Sequence, residues 1–401
     1  MWIMSDLQMK LIWAGRQDND FRHRKDVVRV PLQDLTAGYR PLRDDILHAI
    51  TEVMDAQQYV LGPKVAQLED EIANCCGVSY GVGVASGSDA LLLALMALGV
   101  GKGDEVITTP FSFFATAGSV VRVGAKPIFV DIDPVTFNID PRRIEGAISP
   151  KTKAILPVHL FGQIASMEDI LEIARKHSLY VIEDAAQAIG AKRNGKPAGS
   201  YGDAACLSFY PTKNLGGAGD SGMVVTNHED IAVKIKQLRN HGEEARYQHR
   251  TVGINGRMDG VQAAVLLAKL QHLDRWNSQR FENAHYYTPK LEKIHGLHPP
   301  VEEENCYHIY HQYVTRCQRR DQLRQFLNEH GVGSGVYYPL PLHLQPCFLD
   351  LGYHSGDFPV TEEACRQVLA LPIFPELTRE QQDIVIAEIT EFYRSNGGKI
   401  E

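Results

Sequence analysis

The chain has 401 residues, of which 44% are hydrophobic and 22% charged, and its formal net charge is −8. It is long enough for two domains of ordinary globular composition, and its acidity argues against a nucleic-acid surface. The longest apolar run, residues 90–100, is too short to span a membrane. Seven cysteines without a C-x-x-C pair favour a reducing cytoplasm and argue against a disulfide framework or a zinc site.

Residues 1–29 lack the basic and apolar regions of a secretory signal, and we predict that they form a loosely ordered N-terminal arm. Residues 30–280 are expected to form a large domain, whose first two helices pack near a smaller domain. The smaller domain covers residues 281–401, where the pattern changes to a strand, a helix, a strand over residues 333–338 and a last helix from Thr378.

Between about residues 85 and 240, short β-rich runs alternate with helical runs. This alternation is typical of an α/β fold with a mostly parallel, mixed sheet flanked by helices, followed here by a smaller α+β C-terminal domain. Two later runs, 204–209 and 222–227, are predicted to join the same sheet. Ligands of such sheets bind at the carboxyl ends of the strands. The predicted strands are 104–109, 126–132, 153–160 and 179–184, and the predicted crossover helices are 115–124, 141–148 and 166–178.

The first chemical feature is the turn before the apolar run 90–100. Ser86, Gly87, Ser88 and Asp89 precede that helix, where backbone N–H groups and hydroxyls bind anions well. A plain N-cap explains the same residues. The preceding GVGVASG is not the G-x-G-x-x-G of dinucleotide sites, so it gives such a fold little support.

Two further strand ends carry groups suited to a flat, charged ligand. The segment TTPFSFFATAG, residues 108–118, offers three phenylalanines, each of which either stacks on a ring or packs in the core. The strand LYVIED ends on Asp184, where a buried carboxylate is costly unless it is paired. Asp184 could also cap the following turn. Gln187, three residues later, offers an amide to the same space.

Lys213 follows the next strand end and precedes a glycine-rich run. A lone lysine before glycines is most simply a solvated turn residue. With an aspartate at the neighbouring strand end and an anion turn nearby, it matches what pyridoxal phosphate (PLP) requires: a Schiff-base lysine, a carboxylate for the pyridine nitrogen and a phosphate site. We expect enclosure to lower the pKa of Lys213 and the glycines to allow a tight turn.

In this order the motifs resemble those of the sugar-nucleotide aminotransferases, a family of fold type I PLP enzymes in the aspartate aminotransferase superfamily. The resemblance runs from about Val30 to the C-terminus and is most specific around Asp184 and Lys213. It implies PLP as cofactor, a nucleotide sugar and an amino-acid donor as substrates, and a homodimer with shared active sites. The motifs are YVLGPKVAQLE, ASGSDALLLAL, PVHLFGQ, EDAAQAIGA, SFYPTKNLGGAGDSGMV, GINGRMDGVQAAVL and YYPLPLHLQPCF.

The resemblance also implies a role for each residue at a matching position. Lys213 would be the catalytic Schiff-base lysine, Asp184 would pair with the pyridine nitrogen, and Gln187 would face the ring or its hydroxyl. The other cofactor contacts would be Gly87, Ser88 and Ser208 at the phosphate, where the anion turn adds Asp89, Phe114 stacked on the ring, and Asn255 reaching the phosphate from the neighbouring subunit. The sugar-nucleotide contacts would be Arg257, Tyr337, Tyr338 and His343.

The implied activity is transfer of an amino group from an amino acid, expected to be L-glutamate, to a nucleotide-linked keto sugar, at C3 rather than C4. The product would be an amino sugar for polysaccharide or secondary-metabolite biosynthesis. A dehydratase or aromatising enzyme of the same fold is the nearest alternative, although the family's sugar dehydratases carry histidine where this chain has Lys213. A non-catalytic sensor is the second. An amino-acid aminotransferase would need an arginine clamp, and Arg316, Arg319 and Arg320 are expected to be solvated.

Overall fold

The computed structural model describes residues 29–395 and 397, so the predicted arm lies outside the described residues except for Arg29. Within these ranges, no helix is both long and apolar enough to cross a bilayer. The α-helices there are α1 (Leu35–Tyr39), α2 (Arg43–Ala56), α3 (Pro63–Cys76), α4 (Gly87–Ala97), α5 (Phe114–Arg122), α6 (Met167–His177), α7 (Glu229–Leu238), α8 (Gly260–Leu270), α9 (Leu273–Leu291), α10 (Arg320–Glu329), α11 (Pro359–Gln367) and α12 (Arg379–Ser395).

The strands of the described chain form one large sheet and several small ones. They are β1 (Tyr80–Val84), β2 (Glu105–Thr108), β3 (Lys126–Phe129), β4 (Thr152–Ile155), β5 (Tyr180–Asp184), β6 (Lys192–Arg193), β7 (Lys196–Pro197), β8 (Ala204–Ser208), β9 (Gly222–Thr226), β10 (Glu243–Ala245), β11 (Gln248–His249), β12 (Leu297–His298), β13 (Cys306–Tyr307), β14 (Tyr313–Cys317) and β15 (Val368–Leu371). The large sheet has the order β1, β9, β8, β5, β4, β2, β3. Only β9 runs against its neighbours among these strands, which confirms the predicted mostly parallel sheet.

Helices cover both faces of this sheet because its strands present apolar side chains alternately to two sides. On one face, α3, α6 and α8 pack in a buried cluster with Ile107, Val181 and Leu207. On the other face, α4 and α7 pack with Val106 and Ile182. The result is a three-layer α/β/α unit, as the alternating pattern predicts.

The first two long helices pack on this unit, and our expectation that they also lie near the smaller domain stays a prediction. Helix α3 buries Val65 and Leu68 in the core beneath the large sheet. Helix α2 packs Ile46 against Val265 and Trp276. Both helices have an apolar stripe that must be covered, and these contacts cover it.

A smaller antiparallel sheet, β12–β14–β15, follows later in the chain. Its core contains side chains of α10, α12 and the second half of α9, including Leu323, Ile389 and Leu291. Helix α9 runs without a break across the predicted boundary between residues 280 and 281. The division of the chain into two domains at that point therefore stays a prediction.

Two local predictions are wrong. Residues 141–148 form two short 3-10 helices and no α-helix. The Asp140 side chain caps the first turn, but the chain is extended again at Ile148, which leaves little length for a regular α-helix. Residues 333–338 form no strand beyond one bridge from Gly335 to Ala370. There the Gly333 amide donates to the Val30 carbonyl at 2.8 Å. The start of this segment therefore pairs with the chain at Val30, and not with a strand of the smaller sheet.

Candidate active site

The carboxyl ends of β1, β5 and β8 meet at one edge of the large sheet. Asp184 of β5 lies opposite Cys206 of β8, two residues before Ser208. Gly222 of β9 lies opposite both Ser208 and Val84, so the anion turn that follows Val84 lies next to Ser208. Strand register alone therefore brings Asp184, Ser208 and this turn together.

Asp184 is buried, with 5% of its surface exposed. Its Oδ2 accepts a hydrogen bond from Thr116 Oγ1 at 2.8 Å, and its Oδ1 accepts one from the Ala186 amide at 3.3 Å. Burial raises the pKa of Asp184, while the Thr116 hydrogen bond and the charge of Lys213 oppose that rise. The carboxylate is thus enclosed but already has hydrogen-bond support for its ionised form.

Lys213 lies in a closed turn beside Asp184. Its amide donates to the Tyr210 carbonyl at 2.8 Å, and the Gly217 amide donates to the Phe209 carbonyl at 2.8 Å. Burial lowers the pKa of Lys213 from 10.5 to about 8, with the Asp184 charge opposing the shift. A lysine near neutral pKa is a competent nucleophile. Gly216 is required here by close approach, since a Cβ would overlap the Pro211 carbonyl.

The anion turn forms a cradle that leaves no room for side chains. A Cβ on Gly87 would lie 2.7 Å from Ser208 Cβ, so the backbone of the α4 N-terminus approaches Ser208 closely. Ser86 Oγ accepts the Asp89 amide at 3.0 Å, and the Asp89 carboxylate lies 3.9 Å from Arg122. The Asp89 amide already donates to Ser86, and the Asp89 carboxylate would repel a phosphate. This geometry therefore argues against Asp89 as a phosphate ligand.

Gln187 joins three parts of the site. Its Oε1 accepts the Phe161 amide at 2.6 Å, and its Nε2 donates to Tyr338 Oη at 3.1 Å. Phe161 has a left-handed backbone with φ of 58°, an uncommon conformation for a bulky residue. Burial raises the pKa of the Tyr338 hydroxyl. The structure therefore brings Gln187 and Tyr338 together beside Asp184.

The three phenylalanines of residues 108–118 separate into different environments. Phe111 is fully buried. Phe114 stacks on Phe348 with ring centroids 5.3 Å apart and an angle of 8° between the planes, so its ring is already occupied. Phe113 is 58% exposed and lies 6.5 Å from the Tyr338 ring. This geometry favours Phe113, whose exposed ring lies next to Tyr338, over Phe114, and the stacking position stays a prediction.

Asn255 and Arg257 lie on a segment that runs beside the end of β1. Gly256 accepts the Ala85 amide at 2.9 Å, and Arg257 forms a bridge with Val84. The Arg257 guanidinium donates to Asn240 Oδ1 at 2.9 Å. The segment thus passes close to the anion turn of its own chain, and the side chain of Asn255 is exposed.

His343 is enclosed within the fold, and its contact with a substrate stays a prediction. The residue is fully buried, its Nε2 lies 3.3 Å from Glu362 Oε1, and its ring contacts Phe358. Burial lowers the pKa of His343, and Glu362 opposes that shift. Its neighbour in the motif, Tyr337, is half-buried, and its ring lies close to Gly335. Tyr338 is likewise only half-buried, and it reaches the site through its hydrogen bond with Gln187.

Two of the three arginines expected to be solvated are bound within the fold. Arg316 donates to Gln367 Oε1 at 2.8 Å and to the Pro134 carbonyl at 3.1 Å. Arg320 donates to the carbonyls of Cys365 and Val368 at 3.2 and 3.1 Å. Both guanidinium groups form hydrogen bonds with residues in and around the smaller sheet. Neither is therefore well placed to bind a substrate carboxylate.

Sequence reasoning missed a buried carboxylate and histidine pair behind the site. Glu183, whose side chain points to the opposite face from Asp184, lies 2.8 Å from His159 Nε2 and accepts the amides of Gly199, Tyr201 and Gly202. Burial opposes its ionised form, but these partners outweigh burial and lower its pKa. The signal was the pair of acids ending one strand, since two such groups require two separate sets of partners.

These residues fit PLP. The Gly87–Ser208 cradle lies at a helix N-terminus suited to a phosphate, and Asp184 can pair with a ring nitrogen. Lys213 can form a covalent link to the aldehyde carbon.

Comparison with known proteins agrees with this geometry. Residues 41–390 match the family described as DegT/DnrJ/EryC1/StrS aminotransferase family. A protein of Geobacillus stearothermophilus named pleiotropic regulatory protein is 53% identical over 92% of this chain and 99% of its own length. The UDP-N-acetyl-3-dehydro-α-D-glucosamine 3-aminotransferase of Acidithiobacillus ferrooxidans is 46% identical over 88% of this chain and 95% of its own length. The crystal structure of S. venezuelae DesV is 42% identical, with a TM-score of 0.89, over 91% of this chain and 98% of that one.

Proposed function

The chain belongs to the DegT/DnrJ/EryC1/StrS aminotransferase family, whose members depend on PLP, and on that premise we propose that it transfers an amino group from an amino acid to a nucleotide-linked keto sugar. The observation that carries the proposal is the pairing of Lys213, with a pKa of about 8, and Asp184 at one sheet edge. An amine with a lowered pKa and an enclosed carboxylate are the two groups that this chemistry needs.

Each residue of the site has a defined task in this proposal. When bound, PLP supplies an electron sink that allows an amino group to leave one carbon and join another. The Asp184 carboxylate holds a proton on the pyridine nitrogen, and Lys213 Nζ takes up and returns the substrate proton. Gly87, Ser88 and Ser208 bind the phosphate. Gln187, held by Phe161 and Tyr338, orients the ring, and we assign the stacking position to Phe113.

We propose that the amino group is added at C3 of the sugar, with L-glutamate as its donor. The relative from Acidithiobacillus ferrooxidans is named for amination at C3, which supports C3 over C4. Tyr337, Tyr338 and Arg257 are the residues that we assign to the sugar nucleotide. The scattered, unpaired cysteines support a cytoplasmic enzyme.

A panel of nucleotide-linked 3-keto and 4-keto sugars, each incubated with ¹⁵N-labelled L-glutamate, tests the function. We expect the label to appear in a 3-amino sugar nucleotide, as read by the mass of the product. Label only in 4-amino products would contradict the proposed position. A PLP-loaded protein that labels no product with any member of the panel or with other amino donors would favour the sensor alternative, which the name of the Geobacillus relative keeps relevant.

We also propose that two copies of the chain share their active sites. Exposed large apolar side chains are concentrated between residues 35 and 61 and include Leu35, Tyr39, Leu47, Met54, Tyr59, Val60 and Leu61. A surface of this kind is typical of a protein interface, and a two-fold interface would be isologous. The exposed side chain of Asn255 would then reach the phosphate of the other subunit.

Complementation tests the shared site. Lys213→Ala and Asn255→Ala subunits are mixed under conditions that allow exchange, and the amination rate is compared with that of each variant alone. If Asn255 serves the other subunit, each hybrid dimer has one site with both lesions and one with neither, so the rate rises above both parents. If Asn255 serves its own subunit, every hybrid site keeps a lesion, and the rate stays at the average of the parents.

A further inference from the structure

Two hydroxyls in the segment 108–118 form a chain of hydrogen bonds that ends on Asp184. Ser112 Oγ lies 2.8 Å from Thr116 Oγ1, and Thr116 Oγ1 donates to Asp184 Oδ2 at 2.8 Å. Both hydroxyl residues are buried, with exposures of 4% and 0%.

The direction of the chain follows from the number of protons available. An ionised carboxylate only accepts hydrogen bonds, and a hydroxyl carries one proton. The single hydroxyl proton of Thr116 is used in the hydrogen bond to Asp184, so Ser112 must be the donor in its hydrogen bond with Thr116. Aligned donors polarise one another and strengthen the last bond of the chain. Both hydroxyls therefore strengthen the hydrogen bond that Asp184 Oδ2 accepts.

These hydroxyls are not used for helix capping, which is their common local role. Helix α5 begins directly after Phe113, which is its N-cap and makes no side-chain capping hydrogen bond. Ser112 and Thr116 flank this start, yet their side chains are turned toward Asp184. The hydroxyls at the start of α5 therefore form hydrogen bonds toward Asp184, and they do not cap the N–H groups of the helix.

We propose that Ser112 and Thr116 act as positioning residues for the cofactor nitrogen, forming a hydroxyl chain that orients the Asp184 carboxylate and keeps it ionised. The inference rests on the proposed role of Asp184. Without the chain, a carboxylate in this enclosed position becomes more basic and competes for the proton on the pyridine nitrogen. The same contact ties the turn that carries Phe113 to the strand end, so ring stacking and nitrogen pairing are set by one segment.

The test follows the pyridine nitrogen directly. Enzyme loaded with ¹⁵N-labelled PLP is compared by nitrogen NMR between wild type, Thr116→Val, Thr116→Ser and Ser112→Ala. We expect the wild-type nitrogen to be protonated and the nitrogen of Thr116→Val to shift toward the unprotonated position. Its kcat should fall about ten- to a hundredfold, the range for losing one hydrogen bond to a charged group, while KM for both substrates changes less than about threefold. Thr116→Ser should restore both readouts.

Ser112→Ala should shift the nitrogen in the same direction and lower kcat by about two- to tenfold, as for one neutral hydrogen bond. Thr361→Val is the matched control, because Thr361 is also a buried threonine that donates to a buried aspartate, Asp131, at 2.7 Å. It should lower thermal stability without moving the nitrogen signal. A wild-type nitrogen signal and kcat in folded Thr116→Val would overturn the proposal. If Thr116→Val does not fold, a wild-type nitrogen signal and a wild-type kcat in Ser112→Ala would overturn the proposal.

Asp184→Asn separates this inference from the proposed function. If Asp184→Asn leaves the nitrogen signal unchanged, the assigned role of Asp184 is wrong. If Asp184→Asn moves the signal and Thr116→Val does not, only the hydroxyl chain is wrong.

Discussion

The two sides of the candidate site are held by different kinds of contact. The cofactor side, with Asp184, Ser208 and Lys213, lies on or directly after strand ends, where the pairing register fixes each residue. The C-terminal side, residues 335–343, makes a single bridge to the smaller sheet at Gly335. It reaches the site through isolated bonds, such as that from Gln187 to Tyr338 Oη.

This difference indicates where chemistry and specificity are placed. A group fixed by several strands is costly to move, which suits atoms that must align with a cofactor. Irregular segments tolerate sequence change, which suits recognition of different sugars. Substitutions on the cofactor side should therefore slow both half-reactions, with the amino donor and with the sugar. Substitutions on the C-terminal side should affect the sugar half-reaction more than the donor half-reaction, except at Tyr338, which also holds Gln187.

Lys213→Ala should have the largest effect, a loss of about a thousandfold or more in both half-reactions, because both the covalent link and the proton carrier are removed. The purified variant should also lack the yellow colour of the wild type. Borohydride reduction followed by mass measurement reads the covalent link to PLP. Lys269→Ala is the control, since Lys269 is a second partly buried lysine whose Nζ donates to the Gly216 carbonyl; it should keep the link. A Lys213→Ala enzyme that turns over at a wild-type rate would remove the basis of the assignment.

Asp184→Asn should bind the cofactor but lose about a hundredfold or more in both half-reactions, because a neutral amide cannot hold a proton on the pyridine nitrogen. Single-turnover rates with the amino donor and with the sugar measure this loss separately. Near wild-type rates in both would mean that Asp184 only caps its turn. A loss confined to the sugar half-reaction would contradict the comparison between the two sides.

The pH dependence of PLP attachment to the cofactor-free protein should report the pKa of Lys213. Burial lowers that pKa to about 8, and only the neutral amine reacts, so the attachment rate should rise through about pH 8 and level off above it. The Asp184 charge raises the pKa of Lys213, so Asp184→Asn should move the midpoint to lower pH. Absorbance at visible wavelengths follows the reaction. A wild-type midpoint near the ordinary lysine value of 10.5 would contradict the enclosure of this amine.

Phe113→Ala should weaken cofactor binding by about two- to tenfold, the range expected for one lost ring contact. Phe114→Ala should leave cofactor binding nearly unchanged and lower thermal stability, because it removes the stack on Phe348. Equilibrium titration with PLP and thermal melts of the two variants make a matched pair. The reverse pattern would restore Phe114 as the stacking residue.

His343→Gln should have the smallest effect on activity. It should lower the free energy of unfolding by about 1 kcal/mol, as for one altered buried hydrogen bond, with KM for the sugar within about twofold of wild type. Denaturant titration and sugar-saturation curves measure the two quantities. An unchanged stability with a KM raised more than tenfold would show that His343 contacts the sugar nucleotide despite its burial.

The sequence by itself determined the α/β class, the mostly parallel sheet and the family. Alternating apolar runs require a sheet covered by helices, and polar residues at strand ends mark its ligand edge. Asp184 and Lys213 could be selected because a carboxylate and an amine at neighbouring strand ends match one cofactor. These inferences depend on the local pattern of apolar and polar residues and on the order of the strands, and both can be read from the sequence.

Only the tertiary structure decided which neighbouring residue faces the site and which is enclosed. Phe113 and Phe114 are adjacent and identical in type, and the separation between them depends on Phe348, far along the chain. His343 is enclosed by Glu362 and Phe358, and Thr116 of helix α5 reaches Asp184 at the end of strand β5. Such contacts join residues distant in sequence, so burial and hydrogen-bond partners emerge only when the elements pack.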